Sequence, residues 1–99
     1  MPKILIIEDE AAIRRVLSKI LSEESDSYQV EEAEDGLEGV EKIKKEDYDL
    51  VLCDIKMPKM DGVEVLEAVK TIKPEVPMVM ISGHGDLDTA VNTMRLGAF

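Results

Sequence analysis

The chain is poor in aromatic residues and has no tryptophan. Two tyrosines and one phenylalanine make up 3% of its 99 residues, while 44% of the residues are hydrophobic. A core must therefore be built from Val, Ile, Leu, Met and Ala. Because 34% of the residues are charged and no Pro-, Gly- or Ser-rich linker divides the sequence, the composition indicates one small globular domain.

Cysteine and long apolar runs are also scarce. Cys53 is the only cysteine, so the chain can form no internal disulfide and no cysteine-based zinc site. The chain reaches Glu8 after only four consecutive apolar residues, too few for the core of a signal peptide. No later run is long enough to span a membrane. These absences predict a soluble, cytoplasmic protein.

Basic residues are in the minority. The formal net charge is −10, and no local basic cluster offsets it. Such a charge repels nucleic acid phosphate and anionic lipid. We therefore expect this domain to bind neither nucleic acid nor membranes directly.

Short apolar runs alternate with segments of helical periodicity four times. The runs predict strands over residues 4–7, 28–33, 50–53 and 77–81. Asp35 followed by Glu38 resembles a capping box at the start of the second helix. The apolar residues with helical spacing are Ala12, Ile13, Val16, Leu17, Ile20 and Leu21, then Leu37, Val40 and Ile43, then Val65, Leu66, Val69 and Ile72, then Leu87, Ala90, Val91 and Met94.

This alternation predicts an α/β fold with a doubly wound parallel sheet. Strands that are short and apolar throughout are typical of a sheet covered by helices on both faces and joined by right-handed crossovers. With strand order 2-1-3-4, the order reverses between strands one and three. Functional sites of such sheets lie at the carboxyl ends of those strands.

Three carboxylates follow those two strands. Glu8 and Asp9 come after strand one, and Asp54 comes after strand three. At an effective dielectric near 20, two like charges about 4 Å apart cost roughly 4 kcal/mol, so the group needs a cation or a proton. Magnesium fits, because it is commonly held by one or two carboxylates together with phosphate oxygens. An alternative role for Asp9 is to cap the first helix, which is compatible with metal binding.

Asp54 is placed to act as a nucleophile. A carboxylate can accept a phosphoryl group when a metal screens the approach of two anions, and the reaction needs mainly positioning and charge neutralisation. Ser82, which follows strand four, offers a hydroxyl donor to a phosphoryl oxygen.

Four motifs in sequence order resemble the receiver domain of bacterial two-component response regulators. The resemblance covers the whole chain and implies a flavodoxin-like (CheY-like) fold. The motifs are Glu8-Asp9, Asp54 with Lys56-Met57-Pro58 and Asp61-Gly62 behind it, Ser82-Gly-His-Gly85, and Leu96-Gly-Ala-Phe99.

The resemblance assigns roles to the site residues. It implies that Asp54 accepts a phosphoryl group from a sensor histidine kinase and that Ser82 turns toward this group. Asp9, Asp54 and the backbone carbonyl of Lys56 would bind Mg²⁺ directly, and Glu8 would act largely through water. Such a domain is no enzyme for external substrates, because it catalyses only its own phosphorylation and dephosphorylation.

The resemblance also concerns what lies beyond Phe99. Similar domains continue into a fifth strand, a phosphate-binding lysine and a fifth helix, so residues 1–99 are expected to form a receiver domain that is incomplete at its carboxyl end. The segment that begins at Ile81 resembles the nitrogen-regulation type, whose receiver precedes an ATPase and a DNA-binding module. This implies control of transcription through a C-terminal output module. A stand-alone receiver and a homodimer remain open.

Two other functions are compatible with this kind of sheet. A flavin mononucleotide-binding module needs a Ser/Thr/Gly-rich phosphate loop after strand one, where Glu8-Asp9-Glu10 would repel the flavin phosphate. A phosphohydrolase of the haloacid dehalogenase kind has a second Asp two residues after its nucleophile. Lys56 occupies that position here, which disfavours turnover of an external phosphoester.

Overall fold

A computed structural model describes residues 2–55, 57 and 60–81. Within them, strands and helices alternate as the sequence predicts, and each predicted strand boundary agrees to within one residue. The fourth predicted helix, over residues 87–94, lies outside the described residues. The elements are β1 (Lys3–Ile7), α1 (Ala11–Glu24), β2 (Gln29–Ala33), α2 (Gly36–Lys45), β3 (Leu50–Asp54), α3 (Gly62–Ile72) and β4 (Met78–Ile81).

The strands form a parallel sheet in the order β2-β1-β3-β4, which confirms the predicted order. β1 therefore lies between β2 and β3. Its last residue, Ile7, is paired with Ala33 on one side and with Cys53 on the other. This register places the residues after Ile7 beside the end of β3.

Both faces of the sheet are covered, because successive side chains of a strand point to opposite faces. Ile4 and Ile6 pack with Leu17 and Leu21 of α1 on one face. On the other face, α2 and α3 cover a second core cluster. Its central side chains are Leu5, Ile7, Ile43, Val51, Cys53, Val65 and Val69, all of them fully buried. Each buried aliphatic side chain contributes about 1.5 to 3 kcal/mol, so the strand ends are firmly anchored.

Acidic side chains start two of the helices. The Asp35 carboxylate accepts a hydrogen bond of 2.8 Å from the backbone N–H of Glu38, and the Asp61 carboxylate accepts one of 2.9 Å from that of Glu64. These bonds satisfy backbone donors that have no partner inside the helix. The predicted cap at Asp35 is confirmed.

The predicted apolar faces of the helices are wider than the surfaces that the sheet buries. Val40 and Ile43 of α2 are buried, but Leu37, predicted to share their face, is 56% exposed. At about 100° per residue, Leu37 lies some 120° around the helix from Ile43, at the margin of the covered arc. Val16 and Ile20 of α1 are likewise exposed.

None of the helices in the described part of the chain combines the length and the apolar character needed to cross a membrane.

Candidate metal and phosphoryl site

Three carboxylates meet at the carboxyl edge of the sheet. Glu8 and Asp9 follow β1, and Asp54 is the last residue of β3. One carboxylate oxygen from each residue lies within 4.8 Å of the other two. Glu8 is 2% exposed and Asp54 is 7% exposed, so two of the three acids are withdrawn from water. The structure thus brings together the three acidic residues that the sequence predicts as metal ligands.

Hydrogen bonds that continue past the strand ends hold these residues in place. The backbone N–H of Glu8 donates to the carbonyl of Ala33 at 3.1 Å, and that of Ile55 donates to the carbonyl of Ile81 at 2.8 Å. The backbone on either side of the site is therefore an extension of the sheet. Side chains on such rigid elements keep their relative positions better than side chains on free loops.

The grouping of the three carboxyls makes the charged form of Glu8 less favourable. Burial removes water from its carboxylate and raises the pKa of Glu8 to about 8, and the neighbouring Asp9 and Asp54 carboxyls add to this rise. The backbone N–H of Glu10, which donates to Glu8 Oε2 at 3.1 Å, acts in the opposite direction. A divalent cation among the three carboxylates would relieve the repulsion. These hard oxygen donors suit Mg²⁺.

Asp9 does not occupy the capping position of α1. Glu10 is the N-cap residue of that helix, and it makes no side-chain capping hydrogen bond. The structure therefore does not place Asp9 as the cap of α1, and metal binding by Asp9 stays a prediction.

The start of α3 packs directly against the backbone of Asp54. The N–H of Gly62 donates to the carbonyl of Ile55 at 2.7 Å. A Cβ atom at position 62 would lie 2.5 Å from the Asp54 carbonyl oxygen and 2.6 Å from the Ile55 Cα, distances that real Cβ atoms do not tolerate. The sequence indicates Gly62 only as part of a turn before a helix. Its close approach to the site was not predictable from that pattern.

Two predicted site residues lie outside the described part of the chain. They are Lys56, whose carbonyl is a predicted metal ligand, and Ser82, the predicted hydroxyl donor. The nearest described neighbour of Ser82 is Ile81, which pairs with Asp54 across β3 and β4.

Comparison with known proteins decides the family. The sequence model of the response regulator receiver domain matches residues 4–99. The chain belongs to this family. The resemblance drawn from four short motifs is thereby confirmed, and the chain is a receiver domain of the kind that acts in two-component phosphorelays.

Individual relatives support this assignment. The chain is 38% identical over 96 residues to sporulation initiation phosphotransferase F of Bacillus subtilis, a match that covers 97% of the chain and 76% of that protein. It is 37% identical over 95 residues to the transcriptional regulatory protein ZraR of Klebsiella oxytoca, a match that covers 96% of the chain but only 21% of that regulator. Because these relatives differ in kind, the nitrogen-regulation subtype remains a prediction.

A solved receiver has the same architecture. The response regulator TrrA of Thermotoga maritima, in a complex with Mg²⁺-BeF, matches with a TM-score of 0.79 and 31% sequence identity. The match covers 95% of this chain and 80% of that one. The CheY-like fold expected from the sequence is confirmed.

Proposed function

We propose that Asp54 is the phosphoacceptor of this receiver domain and that Glu8, Asp9 and Asp54 hold the Mg²⁺ needed for its phosphorylation. One observation carries the proposal. Three carboxylate oxygens within 4.8 Å of one another lie at the ends of two adjacent strands, in a chain that belongs to the receiver family. The Mg²⁺-BeF complex of the similar TrrA supports it.

The proposed reaction moves one phosphoryl group. A carboxylate oxygen of Asp54 attacks the phosphorus of a phosphohistidine on a sensor histidine kinase. An O–P bond forms, the P–N bond breaks, and the released imidazole nitrogen takes up a proton. The product is an aspartyl phosphate on this chain. The reaction ends on the domain's own residue, so the domain catalyses only its own phosphorylation and dephosphorylation.

The acidic pair provides the setting for this step. Bound Mg²⁺ would neutralise charge on the carboxylates and on the incoming phosphoryl group. Glu8 and Asp9 would hold the ion beside Asp54, with the Lys56 carbonyl and the Ser82 hydroxyl in the roles that the family resemblance implies.

The consequence of phosphorylation is a changed surface. The phosphoryl group of an aspartyl phosphate carries about −1.5 to −2 charges at a buried edge, in place of the single charge of the Asp54 carboxylate, and a local charge of this kind can shift a two-state element. We propose that the switched surface acts on a C-terminal output module that controls transcription in the cytoplasm. The relative ZraR is named a transcriptional regulatory protein, which supports the part of the proposal that concerns transcription. A second copy of the chain could bind the same surface and form a homodimer.

The match to a phosphotransferase favours a second candidate. Sporulation initiation phosphotransferase F is covered over 76% of its length, so a stand-alone receiver that passes its phosphoryl group onward is compatible with the same site. Transfer from the phosphorylated chain to a second histidine-containing protein distinguishes this role from transcription control.

The phosphoacceptor assignment is tested with acetyl phosphate and Mg²⁺, followed by intact-mass measurement of the full chain. The wild type is expected to gain one phosphoryl group and to lose this gain when EDTA removes the metal. Asp54→Asn is expected to gain none. Asp47→Asn is the matched control, because Asp47 is a highly exposed Asp that pairs with Lys73 away from the three acids. Equal gain by Asp54→Asn and the wild type would exclude Asp54 as the acceptor.

A further inference from the structure

Arg14 of α1 reaches from the helix to the backbone of the acidic pair. Its Nη1 donates to the carbonyl oxygen of Glu8 at 2.7 Å, and its Nε donates to Glu32 Oε1 on β2 at 3.0 Å. Its Nη2 lies 4.0 Å from a carboxylate oxygen of Glu34. The side chain is only 12% exposed. Arg14 therefore joins three parts of the fold with one largely buried guanidinium.

The carbonyl that Arg14 binds belongs to the peptide unit between Glu8 and Asp9. The N–H on the other side of Glu8 is bound to the carbonyl of Ala33 in β2. Glu8 is thus tied to β2 twice, directly through its N–H and indirectly through its carbonyl, Arg14 and Glu32. Rotation about a backbone bond on either side of the Glu8–Asp9 peptide would change the direction of one carboxylate relative to the other, and these contacts oppose that rotation.

An arginine suits this task better than a lysine. Its planar guanidinium carries donors in fixed directions and can bind a carbonyl and a carboxylate together, whereas a lysine ammonium acts as a compact point charge on a flexible stem. The pairing with Glu32 also compensates the Arg14 charge. The Arg14 guanidinium is therefore bound both to the backbone of the site and to Glu32 of the neighbouring strand β2.

We propose that Arg14 is a positioning residue of the metal site, which holds the Glu8–Asp9 peptide so that both carboxylates face the same Mg²⁺. The inference rests on the proposed function. The positioning role of Arg14 and its positive charge predict opposite effects of an Arg14 substitution on Mg²⁺ affinity. A positive charge near a cation site weakens cation binding, so removal of the Arg14 charge alone would tighten Mg²⁺ binding. Loss of a positioning contact weakens it.

Arg15 is the matched control for charge. It follows Arg14 on the same helix and has the same charge, but it is exposed. Arg14→Gln and Arg15→Gln therefore change the net charge equally. Lys3→Met is the control for stability, because Lys3 is the first residue of β1 and the substitution removes its ion pairs with Glu31 and Glu46. Circular dichroism verifies that each variant is folded.

The experiment measures the Mg²⁺ dissociation constant of the full chain by isothermal titration calorimetry. Arg14→Gln is expected to bind Mg²⁺ about tenfold more weakly, as is usual when a group that orients a metal ligand is lost. Arg15→Gln and Lys3→Met are expected to stay within about twofold of the wild type, because exposed or distant charges are screened. Arg14→Lys is expected to lie between the wild type and Arg14→Gln.

Each outcome decides a question. Equal dissociation constants for Arg14→Gln and Arg15→Gln, or tighter binding by Arg14→Gln, overturn the positioning role. If Arg14→Gln does not fold, Arg14→Lys decides, and wild-type affinity in that variant overturns the role. If the wild type binds no Mg²⁺ and gains no phosphoryl group, the proposed function fails together with this inference. A wild type that does both leaves the proposed function in place whatever the Arg14 variants show.

Discussion

The two ends of the sheet differ in how their charged side chains are arranged. At the amino end, Lys3 pairs with Glu46 and lies 3.4 Å from a Glu31 carboxylate oxygen. Its ammonium is 5.1 Å from the centre of the Tyr48 ring, and the Tyr48 hydroxyl donates to Glu31 at 2.9 Å. At the carboxyl end, three carboxylates share one small space. Lys3 thus faces groups of opposite charge, whereas the Glu8, Asp9 and Asp54 carboxyls face one another.

The pKa values follow this difference. The hydrogen bond from Lys3 lowers the pKa of Glu46, and the same bond raises the pKa of Lys3, so both groups are favoured in their charged forms. Burial raises the pKa of Glu8, whose charged form is disfavoured. Among the described residues, Lys3 and Glu46 at the amino end stabilise each other's charge, while the Glu8, Asp9 and Asp54 carboxyls at the carboxyl end form a cluster of like groups. Such a cluster is typical of functional sites that receive an ion or a substrate.

The largest effect is expected where α3 meets the carboxyl end. Gly62→Ala places a methyl group against the backbone of Asp54 and Ile55, and the free energy of unfolding should fall by about 2 to 3 kcal/mol. Helix propensity alone favours Ala over Gly, so the expected sign is set by the contact. Urea unfolding measures the change. Val63→Ala, at the exposed neighbouring position, is the control, and an equal effect of both substitutions would refute the steric constraint.

A second prediction concerns pH in the absence of divalent cations. The folded-state pKa of Glu8 is about 8, above its ordinary value of 4.5, so the folded state binds the Glu8 proton more tightly than the unfolded state. This contribution to stability is complete below about pH 4.5 and is lost as the pH rises through 8. The expected loss is about 1 to 2 kcal/mol, after allowance for screening.

Urea unfolding at several pH values tests this sign. Glu8→Gln should flatten the decline between pH 5 and 8, because the amide does not titrate. Glu46→Gln, at the other end of the sheet, should leave the decline intact. A wild type that becomes more stable over this interval would contradict the proposed origin of the Glu8 shift.

Lys3→Met tests the amino end and should have a smaller effect. The chain is expected to lose stability, because Glu31 and Glu46 no longer face a cation, and the loss should shrink as salt screens the interaction. Lys19→Met, at an exposed position of α1, is the control. Lys3→Met should leave the phosphorylation of Asp54 unchanged. A large change in phosphorylation would contradict the separation of the two ends.

The smallest effect is expected for alkylation of Cys53, which lies one residue before Asp54. Burial raises the pKa of its thiol to about 12, and the residue is fully buried. Iodoacetamide at pH 8 should leave the native chain unmodified and should label it fully in urea, as measured by mass. Rapid labelling of the native chain would show that this end of the sheet opens to solvent.

Much of the fold is readable from local pattern. Short apolar runs and helical spacing locate all seven described elements, because periodicity reflects which side of an element is buried. Helical spacing predicts burial less reliably at the edges of a helix's apolar face. Leu37 has the right spacing for a buried residue, but the neighbouring elements do not extend far enough around α2 to cover it.

The site residues also fall into two groups, those that the sequence indicates and those that only the structure reveals. Residue type and position at the strand ends are enough to indicate Glu8, Asp9 and Asp54. The roles of Arg14 and Gly62 cannot be inferred in this way. An arginine on a helix and a glycine before a helix are common, and only the distances to Glu8 and Asp54 distinguish these two residues.

The sequence by itself determined the order of strands and helices, the acidic ends of two strands and the membership in the receiver family, because each depends on residue type and spacing along the chain. The tertiary structure alone decided how close the three carboxylates lie, how Arg14 links the backbone of Glu8 to β2 and how α3 confines the backbone of Asp54. These properties depend on distances between residues remote in sequence, which the packing of the whole sheet and its helices sets.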